Sequence, residues 1–309
     1  MRRIEYCSRS CLFSSVLSAA VLLCVHLASA AEPRIFTDDL QRTVSVQAVP
    51  TRVISLAPSV TEMLFAVGLD REIVGVTPFC DYPPAASQRP KVGYANPSLE
   101  QIVALDPDMV IAPAEFLRSD LLGKLEELKI PTLVLVARSL QDIEKHLRLF
   151  GLVFNRSAEA DTVIGAMRQR LEAAAARVRR SPPVRVLYVL NSQPLITVGP
   201  GSYIHELLER AGAVNIAASA STAYPRIGMD TVLMGDPEIL LFPVGKTETV
   251  PAADREAWKR WTDLTAVRTG RLHTVPSDVI NRPGPRVLEA LDLLIAIIHP
   301  SPDQPAPSP

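Results

Sequence analysis

The 309-residue sequence predicts an α/β protein of two Rossmann-like lobes with mainly parallel sheets, joined by one long rigid backbone helix. Three observations carry that expectation. First, Glu100-Gln101-Ile102-Val103-Ala104-Leu105-Asp106-Pro107-Asp108-Met109-Val110-Ile111 returns as Asp230-Thr231-Val232-Leu233-Met234-Gly235-Asp236-Pro237-Glu238-Ile239-Leu240-Leu241. In each copy an acid opens a short amphipathic helix, Asp-Pro breaks it and an apolar β run follows. The residue before proline is turned away from the α region, so the helices should stop at Asp106 and Asp236. Copies this far apart are too widely spaced for a solenoid unit and fit two similarly built lobes with a cleft between them. Second, apolar strands alternate with helical patterns, as in parallel sheets covered by helices. Third, the alternation stops between Leu140 and Arg180. There residues 157–180 read as one helix about 36 Å long, a stiff connector that should keep lobe closure small.

In chain order, residues 1–30 read as a signal peptide. Arg2, Arg3 and Arg9 form a positive n-region, residues 12–27 an apolar core, and Ala28-Ser29-Ala30 a small-residue cleavage site. The competing reading, a membrane anchor, needs about 20 apolar residues. Val21-Leu22-Leu23 before Cys24 lacks the small residue of a lipidation site, so a cleaved, exported protein is expected. The leader carries Arg2, Arg3 and Arg9 against Glu5, a net +2, so the whole-chain charge of −1 becomes −3 without it. That balance argues against nucleic acid, which calls for a basic face. Cys7, Cys11 and Cys24 also fall in the leader, which leaves Cys80 with no internal disulfide partner. Residues 31–139 should form the N-terminal lobe, 140–182 the linker with its long helix, 183–299 the C-terminal lobe, and 300–309, rich in Pro and Ser, a disordered tail.

Within the first lobe, residues 52–56, 73–76, 109–112 and 131–136 read as strands. A helix beginning near Ser59 closes at Gly68, and helices cover 99–105 and 121–128. Ser98 and Gln101 have the spacing of a capping box. Strands at 184–190 and 195–198, a helix at 202–211, the second repeat copy and a last helix at about 285–298 build the second lobe. Ala173 to Ala176 give the linker helix the highest intrinsic propensity.

Motifs for enzymatic chemistry are absent: no Gly-x-Ser-x-Gly elbow, no His-Glu-x-x-His and no Walker loop occur. Gly199-Pro200-Gly201 partly matches a dinucleotide fingerprint, but Ile204 fills the third glycine position, and a turn capped by Ser202 is the plainer reading. His146, His205 and His273 lack ligand spacing and read as surface or helix-face residues. Loops carry the more specific signal. Phe79-Cys80-Asp81-Tyr82-Pro83-Pro84, Gly93-Tyr94-Ala95-Asn96-Pro97, Ala223-Tyr224-Pro225-Arg226 and Ser277-Asp278-Val279-Ile280-Asn281-Arg282-Pro283 adjoin sheet elements of both lobes and are stiffened by proline. Such loops lower the ordering cost of binding, although Tyr and Pro are common in loops generally.

The segments Arg52-Val53-Ile54-Ser55-Leu56-Ala57-Pro58-Ser59-Val60-Thr61-Glu62, Cys80-Asp81-Tyr82-Pro83-Pro84 and Leu99-Glu100-Gln101-Ile102-Val103-Ala104-Leu105-Asp106-Pro107-Asp108 resemble the helical-backbone substrate-binding proteins of bacterial ABC importers, and most nearly their corrinoid-carrying members. The resemblance runs from about Arg52 to Ile298. It implies a periplasmic protein, expected to be a monomer, that holds cobalamin or another corrinoid between its lobes as cargo, with no cofactor of its own. It would deliver that cargo to a permease dimer with a cytoplasmic ATPase. Haem or a ferric siderophore is the alternative cargo.

Tyr82 matches the tyrosine stacked on the corrin, while Tyr94 and Tyr224 stand where corrinoid carriers have tryptophans. Asp278 and Arg282 match polar contacts to the corrin's amides, and Asp81 lies in the matching loop. Glu100 and Asp230 match two surface acids, one per lobe, that meet arginines of the permease. From the residues themselves, a broad apolar disc edged by amides calls for aromatic faces and a few fixed donors and acceptors. Haem would call for an axial Tyr or His and cations for two propionates. Cys80 is open to two readings, a thiolate ligand to the cargo metal or a small buried hydrophobe.

Overall fold

The repeat in the sequence is also a repeat in space. The computed structural model describes residues 32–94, 96–246 and 249–300; the predicted signal peptide (1–30) and the predicted tail residues 301–309 lie outside them. The first lobe holds a four-stranded sheet of β3 (Val53–Ser55), β4 (Ile73–Val76), β5 (Met109–Pro113) and β6 (Thr132–Leu135), ordered β4-β3-β5-β6. Its counterpart holds β7 (Val184–Tyr188), β10 (Ala213–Asn215), β11 (Ile239–Val244) and β12 (Leu272–Pro276), ordered β10-β7-β11-β12. Every pairing in both sheets is parallel, and the two orders are the same.

An arginine at the start of the first strand in each lobe locks the repeat in place. Arg52 Nε donates to the Asp106 carbonyl at 2.8 Å, and Arg185 Nε to the Asp236 carbonyl at 2.8 Å. In return Asp108 accepts from the Arg52 amide at 3.0 Å and Glu238 from the Arg185 amide at 2.9 Å. The proline after each aspartate has the expected effect: the helices end at Ala104 and Gly235, and Asp106 and Asp236 take positive φ of 46° and 34°. The capping box at Ser98 is half formed. Its side chain accepts from the Gln101 amide, while its own amide is already bonded to the Val92 carbonyl and needs no glutamine.

Three elements depart from expectation. An antiparallel hairpin, β1 (Arg34–Thr37) with β2 (Thr43–Val46), precedes the first sheet, turned by Asp38 accepting from the Leu40 and Arg42 amides. Residues 191–196 form a small antiparallel pair, β8 (Asn191–Ser192) with β9 (Leu195–Ile196), and not a strand of the second parallel sheet. The connector is two helices, 14 residues at Leu140–Val153 and 22 at Ser157–Val178; a reciprocal box of Ser139 and Asp142 starts the first. The second buries Ala160, Ile164, Met167 and Ala174, spaced to fall on one stripe, in a hydrophobic cluster that runs through both lobes. A core shared across the lobes, with a rigid helix inside it, resists hinge motion. No helix among the described residues is long and apolar enough to cross a membrane.

Candidate functional site

Strands of both sheets run their carboxyl ends toward one cleft between the lobes, the position where parallel α/β sheets present ligand sites. The cleft encloses about 280 Å³, and residues just after β3, β5, β6, β7 and β12 line it, among them Ala57, Phe116, Ala137, Leu190 and Asn281. On the first lobe its wall is aromatic. Tyr94 meets Phe79 edge-on at 4.6 Å between ring centroids and Phe116 at 5.1 Å, a cluster whose members all face the cleft. From the second lobe come Tyr224, 50% exposed, and Tyr203, whose hydroxyl donates to the Ile280 carbonyl at 3.1 Å. Tyr203 is the first residue of its helix (Tyr203–Arg210) and is buried. The Gly199-Pro200-Gly201 segment is a turn, and Ser202 caps that helix by accepting from the His205 amide at 3.2 Å.

Tyr82 sits beyond the cavity lining at the cleft's edge, 42% exposed, with the Arg286 guanidinium 3.9 Å over its ring. That contact is a cation–π interaction between the lobes. Cys80 is a correction. Its side chain is buried in the first lobe's core, and Sγ lies 3.1 Å from the hydroxyls of both Thr61 and Thr77. Burial pushes the thiol's pKa up, against the two threonine bonds, so the thiolate that metal ligation requires is disfavoured. The hydrophobe reading of Cys80 fits this geometry. No group of three or more His, Cys, Asp or Glu side chains among the described residues gathers to hold a metal.

Arg282, expected to offer its donors to a ligand, lines the cleft but is 6% exposed, and its two terminal nitrogens already bond to protein. Its Nη1 donates to Glu62 at 3.1 Å and Asp81 at 2.8 Å, and its Nη2 to the Phe79 carbonyl at 3.3 Å and Asp278 at 3.2 Å. Lys246 adds a bond to Asp81 at 2.6 Å and Arg286 approaches Glu62 at 3.5 Å. Three carboxylates of Glu62, Asp81 and Asp278 thus meet three cations of Arg282, Arg286 and Lys246, with Glu62 and Asp81 on one lobe and the others on its partner lobe. The network ties the lobes together beneath the rim.

The pKa values of two partners in that network both rise, which favours the charged form of Arg282 and the neutral form of Glu62. At Arg282 burial disfavours the charge, but Asp81 and Glu62 outweigh it and the pKa rises. At Glu62 burial wins over Arg282 and Arg286, and the pKa is raised to about 7. Its Oε2 is buried with no donor among the described residues, whereas Arg282 makes four bonds. A carboxyl with a raised folded pKa contributes stability that is full below its ordinary value of 4.5 and is lost as pH rises toward about 7. The swing is worth roughly 3 kcal/mol at most. Glu62→Gln should therefore flatten stability between pH 5 and pH 8, and at pH 8 it should be no less stable than wild type. Denaturant midpoints across that range check this; a variant clearly weaker at pH 8 contradicts it.

Phe116, in the short turn after β5, carries no signal in the sequence that places it at the cleft. His146, read as a surface or helix-face histidine, lies on a helix face but is 1% exposed and lines the cleft. Its spacing was the available signal, since it stands three residues after Ile143 and four before Phe150 on the apolar face of its helix. Glu100 and Asp230 are exposed in the first turns of equivalent helices, Leu99–Ala104 and Met229–Gly235.

Residues 53–279 match the model of a family described as periplasmic binding protein. The chain belongs to that family. A vitamin B12-binding protein of Vibrio parahaemolyticus is 31% identical over 242 residues, 78% of this chain and 86% of that one. One of Vibrio vulnificus is 30% identical over 253 residues, 81% of this chain and 91% of that one. Among solved structures, the periplasmic vitamin B12-binding protein of Vibrio cholerae superposes with a TM-score of 0.71 at 27% identity, over 83% of this chain and 99% of that one. A periplasmic haem-binding protein of Pseudomonas aeruginosa gives 0.72 at 28% identity, over 82% and 94%. These relatives are binding proteins, and this family member is a binding protein and not an enzyme.

Proposed function

We propose that this chain is the periplasmic substrate-binding component of an ABC transporter that captures cobalamin or a related corrinoid in the interlobe cleft. The observation that carries this reading is the wall of Phe79, Tyr94 and Phe116 facing Tyr224 across the cleft. Flat apolar faces on both sides suit a flat, rigid macrocycle, and rings bury large area at low entropic cost. The similarity to vitamin B12-binding proteins over most of the chain supports the same ligand class. Tyr82 serves at the rim. Asp81, Asp278 and Arg282 act there too, chiefly by holding the lobes at a fixed separation. Haem is the second reading, favoured by the likeness to a haem-binding protein and by cleft tyrosines able to act as axial ligands.

The protein works as a monomer, after removal of its leader, and hands the cargo to a permease dimer with its cytoplasmic ATPase. Glu100 and Asp230 dock one lobe each. Beside them Val103 and Leu233 occupy matching positions and are both exposed, and Met234 is 88% exposed. A charge with an apolar neighbour on each lobe fits a two-point docking surface. Tyr82→Ala and Tyr224→Ala should each weaken cyanocobalamin binding by about 1–3 kcal/mol, from lost aromatic area. Calorimetric titration of the folded variants tests it, and wild-type affinity in both would place the ligand elsewhere.

A further inference from the structure

Resting on that reading, we infer that His146 and Asn281 form the polar floor of the cleft and read the carboxamide rim of the ligand. Both side chains line the cleft, one from each lobe's side, and each carries a buried nitrogen with no hydrogen-bond partner among the described residues: Nδ1 of His146 and Nδ2 of Asn281. A buried polar atom left unpaired is costly, so such atoms at the wall of a binding cleft are partners for whatever enters.

Each group is fixed by a neighbour on its far side. His146 Nε2 lies 2.6 Å from Asp39, which also accepts from Lys145 and, at 2.7 Å, from the Val136 amide. Burial works against the Asp39 charge, yet these donors outweigh it and hold the carboxyl far below the ordinary range. Facing a carboxylate, Nε2 carries a proton, so Nδ1 is the group left for the cleft. The β1–β2 hairpin, which supplies Asp39, thereby acts as a positioning element. For Asn281, the Tyr188 hydroxyl donates to Oδ1 at 2.6 Å, which leaves Nδ2 as the donor still to be paired.

The chemistry of the pair selects a ligand class. Asn281 Nδ2 needs an acceptor, which a carboxamide carbonyl or a carboxylate supplies. Nδ1 of His146 is served by a carboxamide in either ring state, whose NH₂ donates to a neutral ring and whose carbonyl accepts from a protonated one. A macrocycle rimmed by primary amides therefore satisfies both groups.

Two substitutions delete the cleft-side groups while keeping the supporting bonds. His146→Gln retains a donor for Asp39, and Asn281→Asp retains an acceptor for Tyr188. Each should weaken cyanocobalamin about tenfold, with the unfolding midpoint held. In ¹⁵N-labelled wild type, the His146 Nδ1 resonance should shift on saturation with cyanocobalamin, a readout that does not depend on either variant folding. Wild type should also bind at least one cyanocobalamin derivative with a single rim amide hydrolysed to the acid about tenfold more weakly. Unaltered affinity in both folded variants, or an unmoved Nδ1 resonance in saturated wild type, overturns the assignment while leaving corrinoid binding intact. Failure of cyanocobalamin to bind wild type at all removes the proposed function itself.

Discussion

Arg282→Ala is expected to cost the protein about 3–5 kcal/mol of folding stability at pH 8, more than any single contact to a ligand. The arginine is the centre of the interlobe network, bonded to Glu62, Asp81 and Asp278 and to the Phe79 carbonyl. Removing it leaves Glu62 buried with Arg286 at 3.5 Å as its remaining cation. The cost should fall at pH 5.5, because Glu62 then takes a proton instead of standing as a poorly paired charge. Urea unfolding at the two pH values measures both. Equal losses at pH 5.5 and 8, or a loss below about 1 kcal/mol, the range of an exposed pair, would show that the network does not tie the lobes together.

Glu100→Arg combined with Asp230→Arg should abolish transport while leaving ligand affinity within about twofold, because neither acid lines the cleft. The two acids stand in the first turns of helices that are copies of one another, each anchored by the same arginine and Asp-Pro turn. The pseudo-symmetry therefore presents two charges at equivalent places, one per lobe. Such charges steer encounter and fix register more than they add affinity. Uptake and ligand-stimulated ATP hydrolysis in vesicles with the cognate permease report the effect. Full transport by the double reversal rejects the docking role.

How much of this was legible in the sequence follows from the range of each interaction. The lobes' strands and helices were legible because proline, capping residues and apolar periodicity act within a few residues. The Asp-Pro turns, the Ser202 cap and the linker helix are of this kind. The aromatic wall was half legible: Tyr94 announced itself in a proline-rich loop, whereas Phe116 joins it from a separate turn after β5.

What sequence order hides is pairing across distance. Arg282 reads as a free donor until Glu62, 220 residues away, and Asp81, 201 residues away, are seen around it. His146 reads as ordinary until Asp39, 107 residues earlier, is found against its ring. Cys80 was open because a loop thiol can be buried or exposed, and only the positions of Thr61 and Thr77 decide that.

The central claim, that the interlobe cleft holds a corrinoid, is tested most directly by titrating the mature protein with cyanocobalamin, cobinamide and haemin, following heat and visible spectrum together. One corrinoid site per chain is expected, with a dissociation constant well below micromolar, more than about 8 kcal/mol of binding free energy, undisturbed by haemin. Saturation by haemin with no heat from either corrinoid would contradict it.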